Sequence, residues 1–195
     1  ALTFFFLLDI MQAVMTMKPE TKQQLAESIR EFRLPRYNEI PNVGLYLEQV
    51  TKYICEYLAP LQDAAITGSM ISNYVKKGLV ANPVKKQYNR EQIAYLIFIA
   101  VAKSVLSMED IRMLIHLQIN TYTPQRAYDY FCEELHNVLF HVFGLKETLD
   151  NVGGANTDEK QLLRTTIVAV AHKVYLNKCF AYLQAEEAAV QVEKN

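Results

Sequence analysis

Lys76, Lys77, Lys85, Lys86 and Arg90 stand within residues 66–90, a stretch that holds no Asp or Glu. The whole chain has 20 basic and 21 acidic residues, so the residues outside this stretch hold 15 against 21. A near-neutral chain of 195 residues therefore gathers a net charge of +5 in one short segment. Concentrated positive charge of this kind attracts the phosphates of a nucleic-acid backbone. Ser69, Ser72 and Asn73 precede the first lysine pair. Small polar side chains allow close approach to a groove, and Asn can pair with adenine through two hydrogen bonds. The competing reading is a solvated basic face with no ligand.

Other residues with chemical capacity form weaker patterns. Glu133-x-x-His136 has the i, i+3 spacing of carboxylate-bridged di-metal helices. Such a site needs a second copy of the motif, and His116, His141 and His172 lack a Glu three residues before them. The pair therefore reads as polar residues on a helix, and no metal is expected. His172 lies among Val168, Val170, Ala171 and Val174 and reads as a core histidine. Tyr128, Tyr130, Phe131, Tyr175 and Phe180 read as core aromatics rather than an effector cage. Cys55, Cys132 and Cys179 are far apart, odd in number and form no CxxC, which points to buried thiols in a reducing cytoplasm. Gly153-Gly154 precedes a helix start, but Asp150, Asp158 and Glu159 flank it, so it reads as a connector rather than an anion site. GxSxG, Walker A, GxGxxG and HExxH are all missing, and no nucleophile has an adjacent base. Neither catalysis nor a cofactor is expected.

The elements that must carry the basic segment read as helices. Gly and Pro number only six each, and 51% of residues are hydrophobic, which fits a helical protein with a real core. Leu47, Val50, Ile54 and Leu58 recur at helical spacing over 45–58, and Pro60 limits that helix. Residues 67–77 form a short helix capped by Thr67 or Ser69, with Gly78 as its stop. Met70, Ile71, Tyr74 and Val75 fall on its inner face. A turn at Asn82-Pro83 leads into the basic loop 82–90. Asn89 then caps a helix over 90–104, and Ser107 caps another. Pro124 opens a helix over 124–143, and Thr157-Asp158 opens one running towards Val192. The apolar face of the last is broad enough to need more than one neighbour. Upstream, 19–33 reads as a helix with Leu25, Ile29 and Phe32 inward, and 34–44 as an irregular connector. The apolar opening, ALTFFFLLDI, lacks a preceding Lys or Arg and is broken by Asp9. It reads as an amphipathic helix, Thr3–Met17, rather than a signal peptide or membrane span.

The string ISNYVKKGLVANPVKKQYNREQIAYLIFI, followed by VLSMEDIRMLI, resembles the winged helix–turn–helix of MerR-type regulators over about residues 45–118. Tyr74, Lys76-Lys77, Gly78-Leu79-Val80 and Pro83 fill the places where that family ends its recognition helix. Tyr88-Asn89 matches the end of its wing. Val105 to Ile111 matches the start of its following helix. Two departures are visible: the family's usual Arg falls on Ser72, and the wing is shorter and lacks a Gly-Tyr-Arg tip. The resemblance thus implies phosphate binding more firmly than base readout by that Arg. Across nearly its full length the chain also resembles a bacterial family numbered 1836 among domains of unknown function, through LPRYNEIPNVGLYLEQV and SMISNYVKKGL.

The expectation is an all-α protein in three parts: an N-terminal helical arm over 1–34, a MerR-like helix–turn–helix with a short wing over 35–118, and a long-helix unit over 119–195. The expected function is sequence-specific binding of double-stranded DNA in transcription regulation, by a homodimer joined through the long C-terminal helices and the N-terminal arm. Ser69, Ser72, Asn73 and Lys76 are expected to face bases or phosphates. Lys77, Lys85, Lys86, Tyr88 and Arg90 are expected on the DNA backbone. The alternative is a helical protein-interaction module whose helix–turn–helix no longer binds DNA.

Overall fold

The computed structural model describes residues 17–62, 64–153 and 157–193. The expected Thr3–Met17 helix lies, except for Met17, outside them. Seven α-helices occur among the described residues: α1 (Pro19–Glu27), α2 (Leu47–Leu58), α3 (Gly68–Lys76), α4 (Arg90–Ala102), α5 (Met108–Thr121), α6 (Pro124–Val142) and α7 (Asp158–Glu193). Two short strands, β1 (Leu45–Tyr46) and β2 (Gln87–Tyr88), pair antiparallel, with Leu45 opposite Tyr88 and Tyr46 opposite Gln87. The fold is mainly helical. No helix among the described residues is long and apolar enough to cross a membrane.

The helix boundaries follow local chemistry. Thr67, Asn89, Ser107 and Thr123 each accept a hydrogen bond from a backbone N–H in the first turn of the helix that follows. Asn89 with Gln92, and Ser107 with Asp110, form reciprocal capping boxes, which satisfy N–H groups that helix geometry leaves unpaired. Pro19 and Pro124 sit in first turns, where their missing N–H costs nothing.

Two expected boundaries move. The helix predicted over 19–33 stops at Glu27, although Ile29 and Phe32 are still buried. Ser28 Oγ donates to Leu25 O at 2.7 Å and offers the chain an alternative to the next helical turn. Residues 45 and 46 are strand rather than helix, because β2 supplies them with partners distant in sequence.

One continuous buried cluster runs from Leu25 to Cys179 and crosses both expected domain boundaries. Its centre is α4. Ile93, Leu96, Ile97, Ile99, Ala100 and Val101 are all buried, so this helix is apolar around most of its circumference. It packs against α2, α6 and α7. Complete burial of one such aliphatic side chain contributes about 1.5–3 kcal/mol. The broad face of α7 is shared among α6, α5, α4 and α1, and Thr21 Oγ1 of α1 donates to Glu186 Oε1 at 3.0 Å.

Two readings of the C-terminal helices are corrected. His172 is exposed on α7, not in the core, because Val170, Ala171 and Val174 occupy the inward positions. Of the five aromatics expected in the core, Phe180 is instead 57% exposed, while Tyr128 and Phe131 pack together at 6.1 Å and Tyr175 packs on Phe143 at 5.2 Å. Cys132 and Cys179 are buried and Cys55 is half-buried, all as free thiols. Glu133 points to Arg36, 3.8 Å away, and His136 stacks on Phe140 at 3.9 Å.

Glu134 in the α6–α7 interface has no exposed surface, and its Oε1 lies 3.1 Å from Arg164 Nε. Burial pushes its pKa up, and the Arg164 charge opposes that shift without cancelling it. A folded pKa above the unfolded value of about 4.3 means the folded state holds the proton more tightly. Stability is therefore fullest at low pH and falls as pH rises from about 4 through the folded pKa. Glu134→Gln is expected to remove that fall. Urea midpoints of variant and parent should agree near about pH 3.5, with the variant more stable at pH 7. A parent curve that does not fall relative to the variant would contradict this.

Candidate nucleic-acid interface

The basic segment is built on a helix–connector–helix pair. α2 buries Val50, Ile54 and Leu58, and α3 packs against it through Ile71 and Tyr74. Met70 and Val75 are half-buried on the same inner side. With those positions turned inward, the i, i+3, i+4, i+7 positions Ser69, Ser72, Asn73 and Lys76 form one exposed face. Ser72 Oγ donates to Gly68 O at 2.9 Å, and Ser69 Oγ is hydrogen-bonded to Thr67 Oγ1 at 2.9 Å. Both hydroxyls keep lone pairs or a proton for a further partner.

α3 ends in a Schellman motif. Leu79 N–H donates to Tyr74 O at 2.9 Å and Gly78 N–H to Val75 O at 2.9 Å. Gly78 has φ of 71°, a conformation that a side chain resists. The turn drives Leu79 and Val80 into the core and leaves Lys77 exposed at the helix end. Arg112 of α5 donates to Lys77 O at 2.8 Å and lies 3.5 Å from Glu109. It brings another cation to the end of α3. Sequence reasoning missed it because Arg112 lies far along the chain, and nothing local ties it to Lys77.

The loop 82–90 folds as a minimal wing. Val84 and Gln87 exchange both backbone hydrogen bonds, at 3.1 and 2.9 Å, around a two-residue turn. The two turn residues are Lys85 and Lys86, with φ of 51° and 66°. This is the type I′ hairpin geometry, which favours Asn-Gly and penalises ordinary side chains. Two exposed lysines therefore occupy the tip of the hairpin at a conformational cost. The hairpin is anchored at its base. Gln92 Nε2 donates to Ala81 O at 2.8 Å, and a side chain at Gly44 would meet Gln87 Cβ at 2.7 Å, so only glycine lets the strands lie this close.

Tyr88 and Arg90 depart from the expected backbone contacts. Tyr88 is 4% exposed, and burial raises its pKa. It pairs with Leu45 and holds the wing to the core. The Arg90 guanidinium donates to Ile40 O at 2.8 Å and to Asn38 Oδ1 and O at 3.4 and 3.3 Å, and it lies 5.7 Å from the centre of the Tyr37 ring. It ties the 34–44 connector to α4 and is occupied by carbonyls. Arg90→Ala is expected to lower stability by about 1–3 kcal/mol. It should leave the salt dependence of any DNA binding unchanged. A shallower salt slope with unaltered stability would return Arg90 to the interface.

The remaining seven residues, Ser69, Ser72, Asn73, Lys76, Lys77, Lys85 and Lys86, are exposed on α3, its C-terminus and the hairpin tip. The four lysine ammonium groups make no ion pair with any carboxylate among the described residues. No acid among the described residues neutralises them through such a contact. No curated protein and no solved structure matches the chain. Residues 35–131, which hold α2 to α5, the wing and the first part of α6, match the family described as Domain of unknown function (DUF1836), and through them the chain belongs to that family.

Proposed function

We propose that the protein is a sequence-specific, double-stranded-DNA-binding transcriptional regulator of the MerR-like winged helix–turn–helix kind. The observation that carries this reading is the unpaired basic surface: Lys76 and Lys77 at the end of α3, and Lys85 and Lys86 at the tip of a strained hairpin. Strained backbone retained at an exposed site points to a role beyond stability. α3 would face a major groove with Ser69, Ser72 and Asn73 towards the bases, and the lysines would hold phosphates. With Ser72 in place of an Arg, base readout falls to short side chains, and the charge supplies most of the affinity.

Four lysines make a small footprint, so a homodimer on two half-sites is the working form. Leu162, Leu176 and Phe180 are 50%, 51% and 57% exposed on α7, which supports a second copy of this helix as their cover. The cytoplasm is the compartment that DNA binding requires, and free thiols at Cys55, Cys132 and Cys179 suit it. The test is fluorescence anisotropy of a labelled random-sequence 30-bp duplex titrated with the full chain at low salt, followed by selection of bound sequences. Saturable binding with an enriched, two-fold symmetric sequence is expected. No binding at low salt would favour the interaction-module alternative, with the α7 face as its contact surface.

A further inference from the structure

A cavity of about 190 Å³ opens between α4, α5, α6 and α7, away from the basic segment. Its inner wall is apolar and aromatic: Phe98 from α4, Leu114 and Ile115 from α5, Ala127 and Phe131 from α6, and Leu163 from α7. Protein interiors leave few voids larger than a water molecule, and an apolar cavity of this size destabilises a core that does not fill it. Its polar lining includes Tyr95 and Gln118, bonded to each other at 3.1 Å, and the cations Arg126 and Lys160. Arg126 lies 5.5 Å from the centre of the Tyr122 ring, and Lys160 Nζ lies 5.1 Å from the centre of the Tyr130 ring and contacts Gly153 O. Glu159 also lines the cavity, which leaves two cations against one carboxylate. The Tyr130 ring lines the cavity, while its hydroxyl is buried away from solvent.

We infer that this cavity is a binding site for a monocyclic aromatic carboxylate. Size sets the body of the ligand. An apolar cavity of about 150 Å³ accepts benzene, so this one holds a single ring with a small substituent. Charge sets the head. Arg126 and Lys160 attract an anion, and each already rests on an aromatic face; Lys160 keeps two donors beyond the one given to Gly153 O. The ring packs on Phe98 and Phe131, and the carboxylate meets the two cations. The inference is independent of DNA binding, and no duplex enters its test.

Isothermal titration of the full chain with benzoate, toluene and benzylamine decides it. These probes share a ring and differ in the charge of the substituent. Benzoate is expected to bind saturably at one per chain, and benzylamine at least about tenfold more weakly. Ala127→Leu adds volume to the wall and is expected to abolish benzoate binding. Arg126 is exposed, so Arg126→Gln leaves the fold intact; it should weaken benzoate about fivefold and leave toluene unchanged, which decides the matter should the leucine variant fail to fold. Absence of saturable benzoate binding overturns the site. Undiminished benzoate binding to folded Ala127→Leu overturns its location. Equal binding of benzoate and benzylamine, or an Arg126→Gln variant that holds benzoate as tightly as the parent, overturns the carboxylate assignment.

Discussion

The double variant Lys76→Glu with Lys85→Glu is expected to lose duplex binding by about a hundredfold or more at moderate salt. Both side chains are exposed and neither makes an ion pair among the described residues, so they contribute little to the fold that a carboxylate would remove. On the proposed reading, each substitution would remove one phosphate contact and place a negative charge there. Lys76 lies in the last turn of α3, where a cation favours the helix dipole, so Glu there costs about 0.3–1 kcal/mol of stability. Lys85→Glu keeps the same left-handed backbone and the same strain. The expected result is therefore a folded protein, about 1 kcal/mol less stable at most, that no longer retains DNA. Chemical denaturation and anisotropy, run on one preparation, read both quantities.

Replacing Lys85-Lys86 with Asn-Gly should move stability and binding in opposite directions. Left-handed backbone costs roughly 1–2 kcal/mol per ordinary residue, and Asn and Gly are the residues that best tolerate it. The turn geometry is already that of an Asn-Gly hairpin, with φ of 51° and 66° and both cross-hairpin hydrogen bonds formed. The swap is expected to raise stability by about 1–2 kcal/mol. It also deletes two charges from the tip, so DNA affinity is expected to fall and the salt slope to become shallower by about 2 per protomer, or about 4 for a dimer. A gain in both properties would separate the strain from any role in binding. A loss in both would mean that the lysines support the fold itself.

What sequence reasoning could read was local. The caps at Thr67, Asn89 and Ser107, the start at Pro124 and the stop at Gly78 all rest on side chains bonding to nearby backbone, and each stands where the residue types place it. The inward face of α3 was legible because Ile71 and Tyr74 keep helical spacing. What escaped depends on residues far apart in the chain. Two strand residues at 45 and 46 carry no periodic signal and exist only because 87 and 88 lie beside them. Arg90 stands among basic residues in sequence, yet carbonyls at 38 and 40 bind it in space. His172 has apolar neighbours along the chain but projects outward, because helical phase decides burial more than immediate neighbours do. The cavity needed four helices at once, and residues expected to be simple core aromatics, Tyr128 and Phe131, border it.

The central claim rests on four lysines meeting phosphates. Its most direct test is the salt dependence of duplex binding by the full chain, read by anisotropy across a tenfold range of salt. Four phosphate contacts per protomer predict a slope of log K against log salt of roughly −3.5 for one protomer and about −7 for a dimer, with the Lys76→Glu, Lys85→Glu variant shallower. A slope near zero, or one that the double variant leaves unchanged, would contradict the account.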